Sequence, residues 1–108
     1  MSDFQDFLTR QFSHVALGEF QSGKFDEAQS LYEAAVATYA QGFQGAYLLR
    51  EPDSDRGISI ILWNSVEAME AHQTEAHDAI LKKMAPLFKH PPQTAFYEVV
   101  CHMTPEQA

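Results

Sequence analysis

The chain has one cysteine, Cys101, so no internal disulfide can form. A reducing compartment, the cytoplasm, is the expectation that follows. Basic residues are scarce: seven Lys and Arg stand against fifteen Asp and Glu, a formal net charge of −8. No run of Lys or Arg interrupts that acidity. Such a surface repels polyanions, so neither nucleic acid nor an anionic membrane is an expected partner. No apolar stretch approaches the length that spans a bilayer. The opening MSDFQDFLTRQF lacks the basic start and apolar core of a signal peptide. Phosphate-cradling glycine loops, a nucleophile elbow and acidic pairs at metal-binding spacing are all missing. The histidines do not recur at i, i+4 and no cysteine pair supplements them, so no metal site is expected.

What is present fits one small α+β domain. The 108 residues are 45% hydrophobic and 12% aromatic, with eight Phe and four Tyr. Phe4, Phe7, Leu8 and Phe12 recur at helical spacing and predict a helical extension over 1–12. The domain proper is expected over 13–103, with a frayed tail at 104–108. His14–Phe20 reads as a strand. Phe25, Ala28, Leu31, Tyr32, Ala35, Val36 and Tyr39 then form an apolar stripe that predicts a helix over 24–39, with Gly42 as its stop. Phe43–Arg50 reads as a second strand, EPDSDRG as a hairpin loop, and Ile58–Trp63 as a β-branched third strand. Ser65 resembles an N-cap for a short helix, and a second helical segment runs from Glu75 to Leu87, limited by Pro86. Thr94–His102 reads as the fourth strand, with Cys101 as a buried inert thiol in it.

The element order is β-α-β-β-α-β, the ferredoxin-like split arrangement, with four strands in one antiparallel sheet and both main helices on one face. A sheet with one wet face should alternate apolar and polar residues. These strands do not: Ile58, Ile60 and Leu62 oppose Ile61 and Trp63, and Leu48 opposes Tyr47 and Leu49. Helices cover one face only, so the expectation is a homodimer that stacks sheet on sheet. The competing expectation is a monomer whose N-terminal helix crosses the open face.

The segment ISIILWNSVEAMEAHQTEAHDAILKKMAPLF resembles the antibiotic-biosynthesis-monooxygenase-like domain. The likeness rests on Trp63, Ser65, Glu67-Ala68, Ala71-His72 and His77, with Gly42-Phe43 before the second strand. It implies a dimeric α+β barrel with a small apolar cavity between sheet and helices. It also implies cofactor-independent oxygenation of a small aromatic or quinol-like compound, so no cofactor is expected. A haem-degrading activity is discounted, because the places of its Asn, Trp and His hold Ala16, His72 and the neighbourhood of Lys82.

His72 and His77 flank a helix junction, where a cavity mouth can form. Histidine moves protons near neutral pH. His72 is the candidate base, able to take a phenolic proton and leave an electron-rich anion for O₂. Trp63 and Tyr47 are candidate pocket walls, and His77, Tyr97 and Tyr39 candidate ligand contacts. Each has a plainer reading: a capped helix end for His72, solvation for His77, packing for Trp63 and backbone hydrogen bonds for the tyrosines. A non-catalytic dimeric module that binds a hydrophobic ligand therefore stays open beside the enzyme.

Overall fold

The computed structural model describes residues 11–71 and 74–106. β1 (Gln11–Glu19) leads to α1 (Phe25–Val36), then β2 (Phe43–Arg50) and β3 (Arg56–Trp63). α2 (Val66–Ala71), α3 (Glu75–Met84) and a 3-10 turn (Ala85–Leu87) precede β4 (Gln93–Val99). The strands form one antiparallel sheet in the order β2-β3-β1-β4. This is the expected split α+β arrangement.

Local chemistry sets the element ends. α1 stops three residues earlier than its apolar stripe suggests. Its final turn tightens: Thr38 N–H and Tyr39 N–H donate to the carbonyls of Ala35 and Val36, and the Thr38 hydroxyl also donates to Ala35 at 2.7 Å. Tyr39 therefore lies beyond the helix. Ser65 Oγ accepts from Ala68 N–H at 3.0 Å, the expected cap of α2. Thr74 Oγ1 does the same for His77 N–H at 3.1 Å and opens α3. Pro86 lies in the 3-10 turn, so α3 ends at Met84 rather than Leu87.

Strand boundaries differ from expectation in three strands, and β3 begins at Arg56 rather than Ile58 because Gly57 and Arg56 pair with Gly18 and Glu19. β1 is central, and its ladder begins at Gln11↔Val99 and Phe12↔Trp63. Phe12 is thus a strand residue, not part of a helix; Phe4, Phe7 and Leu8 lie outside the described residues. β4 has only β1 beside it. It ends at Val99, and Val100–His102 are not strand. Cys101 is accordingly exposed, not buried.

The core sits where α1 and the 3-10 turn close on one end of the sheet. Phe20, Phe25, Ala28 and Leu87 form it. Phe20 meets Phe25 edge-on at 5.4 Å and Phe88 at 4.5 Å. The Arg50 guanidinium covers the Phe25 ring at 4.5 Å and keeps its charge near Asp26 and Asp55, both 3.8 Å away. The helices occupy one face, and the other carries Val15, Leu17, Tyr47, Leu49, Ile58, Ile60 and Leu62. Among the described residues nothing covers it: Leu17 is 46%, Leu49 45% and Tyr47 54% exposed.

Candidate active site

Beside the core cluster, sheet and helices part to leave a cavity of about 780 Å³. That lies within the range of small-molecule sites. Strand alternation decides which residues form its floor. His14, Ala16 and Gly18 of β1, Ser59, Ile61 and Trp63 of β3, and Leu48 of β2 point into it. α1 contributes Ala28, Tyr32 and Ala35, and α3 contributes His77, Leu81 and Met84. Alanine, glycine and serine along the floor leave space that larger side chains would fill. At Gly18 even a Cβ would come within 2.7 Å of the Phe88 ring.

One end of the cavity is aromatic. Tyr39 lies 5.0 Å from the Trp63 ring, 5.4 Å from Phe43 and 5.3 Å from the His77 imidazole. Trp63 is buried, and His77 is only 3% exposed. The Tyr39 hydroxyl and His77 Nε2 are 3.1 Å apart and share a hydrogen bond. Burial pushes the Tyr39 hydroxyl up to about 12, so it remains protonated near neutrality and available to donate. The Asp78 carboxylate stands 4.0 Å from His77 Nδ1. The result is a buried imidazole held by a phenol at the end of an apolar chamber, an arrangement suited to moving a proton.

A second polar pair lies along the wall. Ser59 Oγ donates to the Tyr32 hydroxyl at 3.0 Å, and Tyr32 donates to the Tyr47 carbonyl at 2.9 Å. Burial raises the Tyr32 hydroxyl above its ordinary value, partly offset by the bond from Ser59. Among the described residues no group of three His, Cys, Asp or Glu is placed to hold a metal ion. No described helix is long and apolar enough to cross a membrane.

Of the residues expected at the site, Trp63 and His77 line the cavity and Tyr39 joins them. His72 lies outside the described residues. Tyr47 and Tyr97 do not line the cavity, and that expectation is corrected. Tyr47 pairs with Ile60 while its neighbour Leu48 pairs with Ser59, so Tyr47 points to the opposite face. Tyr97 pairs with Ser13, one residue out of phase with His14, and is 57% exposed. Only the Tyr47 main chain reaches toward the site, through its bond to Tyr32. Ser59 and Tyr32 went unnoticed as site residues. A lone hydroxyl inside the apolar run ISIILW was the available signal for Ser59. Tyr32 was hidden in the apolar stripe of α1.

No sequence-family profile matches the chain, and no curated protein matches it by sequence. Solved structures do match. A Caulobacter crescentus protein provisionally named an antibiotic biosynthesis monooxygenase superposes with a TM-score of 0.76 at 18% identity, covering 90% of this chain and 98% of that one. A Bordetella bronchiseptica protein of the same provisional name gives 0.71 at 20% identity, covering 84% and 98%. A variant of SnoaB, a cofactor-independent oxygenase from Streptomyces nogalater, gives 0.68 at 18% identity, covering 88% and 96%. The chain has the fold of the antibiotic-biosynthesis-monooxygenase-like structures.

Proposed function

We propose that this chain is a cofactor-independent monooxygenase that acts on a small hydroxylated aromatic compound. The observation that carries the reading is the buried His77–Tyr39 pair, 3.1 Å apart at the aromatic end of the cavity. A phenolic proton passes to the Tyr39 oxygen as Tyr39 hands its own to His77 Nε2, and the resulting anion is electron-rich enough to react with O₂. One oxygen atom becomes bonded to a ring carbon and ends as a carbonyl. The other leaves as water with the phenolic hydrogen and the hydrogen of that carbon. The substrate supplies all the electrons, so no external reductant is required. The Trp63 and Tyr39 rings offer faces for an aromatic ligand. The likeness of fold to SnoaB supports this chemistry.

Oxygen uptake with naphthols and hydroquinones tests the proposal. His77→Ala should lower the rate by about 10²–10⁴-fold. An unchanged rate would remove His77 from the mechanism, and loss in His72→Ala alone would give the base to His72. Binding without any oxygen consumption by the wild type would leave the non-catalytic module.

The working assembly under this proposal is a homodimer. The sheet face that no described residue covers supports it, since Leu17, Tyr47, Leu49 and Tyr97 are all about half exposed there. Apolar area covered by a second copy contributes about 25 cal/mol per Å² before association costs.

A further inference from the structure

The Ser59–Tyr32 pair has a direction, and the direction has a chemical consequence. The Tyr47 carbonyl can only accept a hydrogen bond. Tyr32 lies 2.9 Å from it and must spend its one hydroxyl proton there. Its oxygen is then left to accept, and Ser59 Oγ, 3.0 Å away, spends its own single proton on Tyr32. Serine has one donor and two acceptor lone pairs. Both lone pairs of Ser59 remain, and among the described residues no donor reaches them. Ser59 lies on the central strand β3, between Gly57 and Ile61, which line the cavity with it. Its surroundings are apolar: Ala16 is its partner on β1 and Leu48 its partner on β2.

We propose that Ser59 is an acceptor-only anchor in the cavity, which selects ligands that present an O–H or N–H and rejects those that present a carbonyl at that position. A ligand hydroxyl completes the chain, running from ligand to Ser59 to Tyr32 to the Tyr47 carbonyl. A ligand carbonyl meets the lone pairs of Ser59 and finds no proton, because that proton is already given to the Tyr32 oxygen. The inference rests on the oxygenase reading for its biological meaning. In that setting, a substrate hydroxyl seated on Ser59 is held, whereas a carbonyl formed there by oxidation is repelled and the product is released. The selectivity itself requires no turnover.

Equilibrium dialysis tests it with three neutral probes of similar shape: naphthol, its methyl ether and acetonaphthone. The wild type should bind naphthol about tenfold more tightly than the methyl ether, the worth of one neutral hydrogen bond in an apolar site. Ser59→Ala should bring that ratio close to one. Tyr32→Phe provides a separate check. It frees the Ser59 proton, so acetonaphthone should bind several-fold more tightly to this variant than to the wild type. Circular dichroism establishes that both variants fold. A naphthol preference that survives Ser59→Ala, acetonaphthone binding unmoved by Tyr32→Phe, or no probe binding by the wild type would each overturn the proposal. The oxygenase reading fails separately: the expected ratios without oxygen uptake would retain the anchor and discard the chemistry.

Discussion

Tyr39 is the residue on which the proposed chemistry turns, and its burial carries a cost that can be measured. Its hydroxyl is pushed up from 10.0 to about 12, chiefly by burial. The folded chain therefore holds this proton more tightly than the unfolded chain does. The associated stability is complete below pH 10 and is lost as pH rises to about 12. Tyr39→Phe should remove that part of the alkaline decline: between these limits its Tm should fall less steeply than that of the wild type. Equal slopes would mean that Tyr39 ionises alike in both states. Residue roles were the least legible part of the sequence. His77 could be named from its position at a helix junction, and Trp63 from its place at the end of a strand. Strand parity could be counted for Tyr47 and Tyr97, but in strands apolar on both faces nothing tells which parity faces the helices. Ser59 and Tyr32 acquire their role only from a contact between residues that are 27 positions apart.

At the scale of elements, local rules carried much more. The Phe43–Arg50 strand has the bounds its flanking turns suggest, and the Ser65 cap forms as expected. Misplaced ends were those decided by neighbours: β1 is lengthened by two flanking strands, and β3 reaches back to Arg56 by pairing with Glu19 of β1. The turn from α1 to β2 holds a further dependence. Gly42 adopts φ of 84°, in the left-handed region, and its carbonyl accepts from Asn64 N–H at 2.9 Å. A Cβ there would collide with the Cβ of Ala68 and stand 2.7 Å from Asn64 Oδ1. This one glycine thus lets the end of β3 and the start of α2 close on the turn beside Tyr39 and Phe43. Gly42→Ala should lower the unfolding free energy by about 2–4 kcal/mol, combining backbone strain with overpacking. Urea denaturation measures it, and a change under about 0.5 kcal/mol would show that the turn rearranges freely.

For the whole molecule, the fold was legible because element order, two-faced strands and the amphipathic α1 all pointed to the same arrangement. The same apolar count supports the proposed second copy. Leu49 is 45% exposed on edge strand β2, on the face the helices leave open, so Leu49→Asp should leave the fold intact yet break a stacked pair of sheets. Sedimentation should then show a dimer for the wild type and a single chain for the variant at micromolar concentration; a monomeric wild type would refute the assembly. Cys101 bears on the same question. It is the chain's one thiol and it is exposed. A nitroxide attached to it places a single unpaired electron on each chain, so a dipolar coupling between such electrons measures a distance from one copy to another. The scarcity of cysteine thereby equips the molecule with its own ruler for quaternary structure.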